Sequence, residues 1–258
     1  MTEVFFLGSG GSVATVSRDN TSLLVHHKNS LILVDCPGSV VRKIRKLGFD
    51  PEDLSAVFVT HIHPDHIYGL PSLVHSLMMK EMDIDLYGSS ESIDFCRRFL
   101  DLFHLLDHKI KCRVNFIEVE PVAASKLGES VQFYGFEVPH IGSSLAFHFT
   151  FLPERKKLLY SGDTAVHPPL FEKARGTDCL IHDCSAPARF FTRFPSLVTM
   201  HTNSLDLGKQ AMQAGVRRLI PCHFLGEIEY SVSEVEQEIR RNFNGDLIIP
   251  SDFMRVVL

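Results

Sequence analysis

The chain has 258 residues, with 26 Lys plus Arg against 31 Asp plus Glu and a formal net charge of −5. At 45% hydrophobic content it can bury a sizeable core, and a single domain over residues 1–258 is expected. The mild acidity argues against a protein that wraps long nucleic acid, because that affinity rests on cations neutralising phosphates, and no apolar stretch reaches the roughly 18 residues of a membrane span.

In chain order, Met1-Thr2-Glu3-Val4-Phe5-Phe6 lacks the basic start and cleavage site of a signal peptide. Three strand-like stretches precede a helix over Val40 to Leu47. Leu54 to Thr60 reads as a buried strand, and Pro71 to Met79 as a helix behind the loop that follows it. Ser90 to Leu105 carries Ile93, Phe95, Phe99, Leu102 and Phe103, a spacing closer to helix than to strand. Ile141 to Tyr160 reads as two short strands joined by a turn at Pro153-Glu154-Arg155-Lys156-Lys157. Leu205 to Ala214 is a helix ended by Gly215 at C′. Ser231-Val232-Ser233-Glu234 offers a capping box for a helix over Glu234 to Phe243, stopped by Asn244-Gly245. Leu247 to Pro250 and Met254 to Val257 close the chain as strands. The pattern says mixed α and β. Six cysteines form no C-x-x-C pair, which suggests reduced thiols and a cytoplasmic protein.

The strongest chemical signal is His61-Ile62-His63-Pro64-Asp65-His66, three imidazoles and a carboxylate in six residues. Imidazole suits zinc and other divalent transition metals, and carboxylate suits harder cations, so one short loop can serve two adjacent ions. The loop leaves the end of a buried strand, a rigid place for a site. Further ligand types stand at the ends of later elements: His140 after Val138-Pro139, Asp163 in Ser161-Gly162-Asp163-Thr164, His201 before a helical pattern, and His223 in Pro221-Cys222-His223.

These segments in this order resemble the metallo-β-lactamase superfamily, and within it the ribonuclease Z-like branch. The resemblance starts at Phe6-Leu7-Gly8-Ser9-Gly10-Gly11, passes through Leu33-Val34-Asp35-Cys36 and Thr60 to Leu70, and ends at His223. It implies a four-layer αββα sandwich, an α/β (α+β) class. It implies two divalent metals, zinc first, with manganese or iron also suited to the ligands. His61, His63 and His140 would hold one ion, Asp65, His66 and His223 the other, and Asp163 would bridge them. A water or hydroxide between the metals, with its pKa lowered to about 7, would be the nucleophile, and Asp65 could orient it or take its proton. His201 would protonate the leaving group, with Asp183 holding its ring. The family usually has Glu in a His-Glu-Ala-Thr string at this place, where the chain reads His182-Asp183-Cys184-Ser185. The relatives commonly pair, so a homodimer is implied.

The substrate expectation turns on a missing segment. Bacterial ribonuclease Z enzymes carry a long Gly/Pro-rich arm between the His140-like ligand and the G-D-T strand, and here only Ile141 to Tyr160 lie between them. Asp183-Cys184-Ser185-Ala186-Pro187, then His201-Thr202-Asn203-Ser204-Leu205, is similar to the small-molecule phosphodiesterase of the carbon–phosphorus lyase pathway, which also lacks the arm. That enzyme has a Cys-rich zinc insert near its N-terminus, and here no Cys precedes Cys36. Hydrolysis of a small or cyclic phosphodiester therefore ranks ahead of an armless ribonuclease Z acting on an RNA 3′ end. Lactonase, thioesterase or iron-dependent sulfur oxygenase chemistry uses similar ligands; pairing of His201 with Asp183 tilts the reading to phosphodiesters.

Weaker signals complete the expectations. Arg189 and Arg193, around Phe190-Phe191-Thr192 in what reads as a loop, could meet a substrate phosphate. Gly8 to Ser12 lacks the G-K-[ST] of a nucleotide P-loop and reads as a tight turn whose N–H groups could face a phosphate. His26-His27 reads as a surface hairpin turn, His75 as helical packing, and His167 as a minor contact to substrate.

Overall fold

The computed structural model describes residues 1–258. Apolar runs such as Val4-Phe5-Phe6-Leu7 and Leu31-Ile32-Leu33-Val34, buried on both faces, lay down a first sheet from β1 (Thr2–Gly8), β2 (Ser22–His27), β3 (Ser30–Val34), β4 (Leu54–Phe58), β5 (Met82–Gly88) and β6 (Cys112–Glu118). The second holds β7 (Ser125–Leu127), β8 (Val131–Glu137), β9 (Leu145–Phe151), β10 (Lys156–Tyr160), β11 (Cys179–Asp183), β12 (Arg218–Cys222) and β13 (Asp246–Leu247). The chain then returns to the first sheet as β14 (Arg255–Val257), giving the orders β14-β1-β2-β3-β4-β5-β6 and β13-β12-β11-β10-β9-β8-β7. On the first sheet lie α1 (Val40–Lys46), α2 (Pro64–Ile67), α3 (Leu70–Leu77) and α4 (Ser90–Asp101), and the second half adds α5 (Pro168–Ala174), α6 (Ala188–Arg193), α7 (Ser204–Gln213) and α8 (Val232–Arg240).

Strand side chains point alternately to opposite faces, and three apolar layers follow from that parity. Phe6, Leu23, Val25, Phe58, Phe133, Phe147, Phe149 and Ile181 fill the space between the sheets. Leu24, Leu33 and Val57 pack outward under Ile44, Leu73 and Leu100 of the helices. Leu159, Leu180 and Leu219 do the same under Phe171, Leu207, Val235 and Ile239. This is the αββα sandwich. Phe58 sits at its centre, stacked on Tyr87 at 4.8 Å and edge-on to Phe133, Phe147 and Phe149 at 4.8 to 5.1 Å.

The helix ends match their local chemistry. Ser231 caps α8 by accepting from Glu234 N at 3.1 Å, Asn203 caps α7 by accepting from Asp206 N at 2.9 Å, and Gly215 follows α7 at φ +68°. Boundaries differ from the expected ones mainly at the C-terminus, where pairing stops at Leu247 and only Arg255–Val257 rejoins a sheet. The segment expected as a loop before His201 begins as α6, following Pro187 and burying Phe190 and Phe191. All six cysteines are free and buried, and no helix is long and apolar enough to cross a membrane.

Two expectations are overturned. His27 is fully buried: it shares the parity of Leu23 and Val25, and its ring nitrogens contact Thr2 Oγ1 and the Leu152 carbonyl, both at 2.9 Å. His75 is exposed, because α3 buries Leu70, Leu73, Val74 and Leu77 on the opposite face.

Candidate metal centre

Parallel pairing sets the location. β3 runs parallel to β4, and β10, β11 and β12 are mutually parallel, so the segments leaving β4, β10, β11 and β12 emerge at carboxyl ends, the usual ligand edge of parallel sheets. His61 to His66 leave β4, Asp163 leaves β10, Asp183 ends β11 and His223 leaves β12. His140 comes from the β8–β9 connection, tied to the first sheet by Leu145 N donating to Thr60 O and to the β10 loop by Ala165 N donating to Pro139 O, both 2.9 Å.

Two groups of ligand atoms result. His63 Nδ1 lies 3.1 Å from His61 Nε2 and 3.0 Å from His140 Nε2. Around the second group, His66 Nε2 and His223 Nε2 each stand 3.4 Å from Asp65 Oδ2. Asp163 Oδ2 is common to both: 3.0 Å from His223 Nε2, 3.4 Å from His66 Nε2, and 3.8 Å from the Nε2 atoms of His61 and His140. The four-residue sets His61, His63, His140, Asp163 and Asp65, His66, Asp163, His223 could each hold a divalent ion. The surroundings support that fit. His66 Nε2 and Asp163 Oδ1 are buried with no hydrogen-bond partner, a costly arrangement unless an ion meets them.

Hydrogen bonds behind the rings fix which nitrogen faces the centre. His140 Nδ1 donates to the Met200 carbonyl at 2.8 Å and His66 Nδ1 to Asp35 Oδ2 at 2.9 Å. Thr60 Oγ1 lies 3.0 Å from Asp35 and from His61 Nδ1, so it can donate to the carboxylate and accept from the ring. Each leaves Nε2 as the lone-pair donor. Asp35 emerges as the floor of the site. It is fully buried at φ +59°, and it also accepts from Thr60 N at 2.9 Å and Tyr160 OH at 3.3 Å. The strand end before Cys36 marked the place of Asp35 but not this role. His223 also has a positive φ, +64°, and the pair illustrates how unusual backbone conformations gather at functional positions. Gly162 before Asp163 is at φ +58°, with Thr60 Cβ 3.0 Å from where a Cβ would stand.

Electrostatics separate the two groups. Burial, with the neighbouring imidazoles, holds His61 well below the usual histidine range. Burial opposes charge on His66 and His223 too, but Asp163 and further carboxylates outweigh it, pushing His66 well above its ordinary value and His223 up to about 10. Asp163 and Asp65 are held far below the carboxylate range by His66 and His223, against the effect of burial. In the metal-free protein, protons on His66 and His223 therefore balance the two carboxylates.

Beside these two groups, His201 Nδ1 donates to Asp183 Oδ2 at 2.9 Å, and the His201 ring lies 5.0 Å from that of His140 and 5.1 Å from that of His223. Arg189 is not directed at the centre. Its guanidinium forks onto Glu234 of α8 at 2.7 and 3.1 Å, and lies 4.0 Å from the Phe190 ring. Arg193 is exposed, with its guanidinium 5.2 Å from the Phe194 ring. His167 is partly buried at the start of α5. The Gly8–Ser12 turn does not offer its glycine amides to a phosphate: Gly10 N donates to Asp19 O at 2.8 Å and Gly11 N to Phe224 O at 2.7 Å. The turn needs glycine for close packing, since a Cβ on Gly8 would stand 2.0 Å from Asn20 O.

Comparison with known proteins agrees with this architecture. The family model of the anti-Pycsar protein Apyc1 matches residues 2–206. A ribonuclease Z of Methanosarcina mazei is 25% identical over 305 residues, covering 99% of this chain and 98% of that protein. Among solved structures, the metallo-β-lactamase fold protein YhfI of Bacillus subtilis superposes with a TM-score of 0.82 at 21% identity, covering all of both chains. A diphosphatase of the PhnP family gives 0.76 at 16% identity, covering 100% of this chain and 98% of that one. The chain is thus a metal-dependent hydrolase of the ribonuclease Z-like branch of the metallo-β-lactamase superfamily, and it belongs to the Apyc1 family.

Proposed function

We propose that the protein hydrolyses a small or cyclic phosphodiester. The observation that carries this reading is the placement of the Asp183–His201 pair beside two ligand groups that share Asp163 Oδ2. In this reading His61, His63 and His140 would hold one divalent ion, Asp65, His66 and His223 would hold a second, and Asp163 would be shared between them. Zinc is the first choice for so many imidazoles, with manganese or iron as substitutes. Two such ions, when bound, activate water near neutral pH and neutralise charge on the attacking and leaving oxygens of an in-line displacement.

The chain's own residues supply the rest. Asp65 orients the attacking water and takes its proton. Water oxygen bonds to phosphorus as one P–O ester bond breaks. His201, its Nδ1 held by Asp183, presents Nε2 to protonate the departing oxygen. The product is a phosphomonoester and an alcohol, or a single ring-opened phosphomonoester if the diester is cyclic. Residues 1–258 act as one hydrolase domain, and a homodimer is the working assembly.

The β8–β10 region limits the size of substrate the site can hold. Residues 141–160 form only the His140 loop, β9, a turn and β10, which leaves no extended arm there to hold an RNA body. Arg189 is already paired with Glu234, so a phosphate must compete for it, and Arg193 is the freer of the two proposed rim cations. An RNA 3′ end is the second reading, favoured by the full-length similarity to a ribonuclease Z. The test is to assay purified, metal-analysed protein on bis-p-nitrophenyl phosphate and a panel of cyclic phosphodiesters, beside an RNA carrying a 3′ trailer. Turnover of the small diesters without trailer removal is expected. Accurate trailer removal would instead establish the second reading, and activity on neither would move lactones, thioesters and persulfides to the front.

A further inference from the structure

Three of the four imidazoles that present Nε2 within the two ligand groups have an acceptor behind them: Thr60 Oγ1 for His61, Asp35 for His66 and the Met200 carbonyl for His140. His223 is the exception. Its Nδ1 is buried with no hydrogen-bond partner, and Asp183 Oδ1 stands 3.9 Å away. The same fully buried carboxylate accepts from Thr164 N at 3.0 Å, from Ser185 Oγ at 2.8 Å and from His201 Nδ1 at 2.9 Å. Thr164 directly follows Asp163. One carboxylate therefore touches the loop of the shared ligand, faces the back of His223 and holds His201.

We propose that Asp183 is a positioning residue for the metal centre itself, and not only for His201: it takes the Nδ1–H of His223 and, through the Thr164 amide, fixes the turn that carries Asp163. This inference rests on the metal-site reading above. A metal-ligating imidazole must hold its proton on the nitrogen away from the ion, and a carboxylate behind the ring enforces that tautomer. A ring movement of about 1 Å closes the gap from Nδ1 to Asp183 Oδ1 to ordinary hydrogen-bond length. Both carboxylate oxygens are then in use, Oδ2 for Thr164 and His201, Oδ1 for Ser185 and His223. Asn at this position keeps the size but has only one acceptor oxygen. With that oxygen held by Thr164 and His201, its NH₂ opposes the Nδ1–H of His223 and favours the tautomer with the proton on Nε2, where it blocks the metal.

The experiment compares Asp183→Asn, His201→Ala and His63→Ala with the parent by competitive chelator titration of zinc. Asp183→Asn is expected to weaken binding of one ion by roughly 10–100-fold, the usual effect of losing a carboxylate behind a ligand. His201→Ala, which removes only the proton donor, is expected to bind zinc as the parent does. Parent-like zinc affinity in Asp183→Asn, with turnover lost as in His201→Ala, would overturn the inference while leaving the metal site intact. Parent-like affinity in His63→Ala as well would bring down the metal-site reading itself. A third equivalent of bound zinc, shared by Asp183, His201 and His223, would also overturn it. Imidazole ¹⁵N spectra of the zinc-loaded parent supply a readout independent of the variant's folding. A His223 Nδ1–H that is hydrogen-bonded and protected from exchange is expected, and a proton on Nε2 or a freely exchanging Nδ1–H contradicts the role.

Discussion

Replacing His63 with Ala separates metal binding from folding. Its Nδ1 lies within about one metal-coordination diameter of two other nitrogens, 3.1 Å from His61 and 3.0 Å from His140, as three ligands around one ion require. Its ring is only partly buried, so truncation leaves little cavity and should cost the metal-free fold about 1 kcal/mol or less. A four-ligand zinc site binds with an apparent free energy of roughly 10–16 kcal/mol, so one ligand of four accounts for about 2.5–4 kcal/mol. That corresponds to about two to three orders of magnitude in affinity. The assay is metal content by mass spectrometry after dialysis against a graded chelator, with thermal unfolding of the metal-free protein and hydrolysis of bis-p-nitrophenyl phosphate in parallel. The expected variant melts like the parent when metal-free, retains about one ion fewer, and loses turnover with it. Parent-like metal retention would refute the assignment of His63 as a ligand, whatever happened to the rate.

His201→Ala should keep its metal and lose about 10²–10⁴-fold in turnover, the range for one general acid; unchanged turnover removes His201 from the mechanism. Metal affinity should rise with pH, because His66, with its pKa well raised, and His223, at about 10, hold protons in the metal-free protein that the ion must displace. With two protons released, the slope is up to about a hundredfold per pH unit between pH 6 and 8, and calorimetry in buffers of different ionisation heat counts them; a pH-independent affinity contradicts that charge balance. Phe58→Ala should cost about 3–5 kcal/mol in chemical denaturation, the loss expected for a fully buried aromatic side chain. A loss under about 1 kcal/mol would mean that the two sheets are not packed through this ring.

Much of this candidate centre was legible because the residues that could hold an ion are local in sequence or stand at element ends. His61 to His66 declare themselves in six residues, and Asp163 and His223 follow buried β-strands whose parallel pairing brings them to one edge. What joins the parts was not legible. The Met200 carbonyl reaches His140 across 60 residues, and Arg189 finds Glu234 across 45, because folding sets those distances and no local pattern encodes them. The role of Asp35 was hidden for the same reason, since its partners Thr60, His66 and Tyr160 come from two later segments. Two misreadings had a signal available. Counting by twos from Leu23 and Val25 turns His27 inward, and the helical stripe of Leu70, Leu73, Val74 and Leu77 turns His75 outward. For His27 the polarity of the side chain outweighed the periodicity of its strand; for His75 membership of an apolar helix outweighed the face on which the residue stands.

In the proposed mechanism, phosphodiester cleavage depends on ions held by the two ligand groups. The most direct test of that dependence is hydrolysis of bis-p-nitrophenyl phosphate before and after complete removal of metal, followed by stepwise addition of zinc, manganese or iron to the folded metal-free protein. Activity is expected to vanish with the metal and to return as the sites fill, reaching its plateau at two equivalents. Undiminished hydrolysis by protein shown to be metal-free would contradict it.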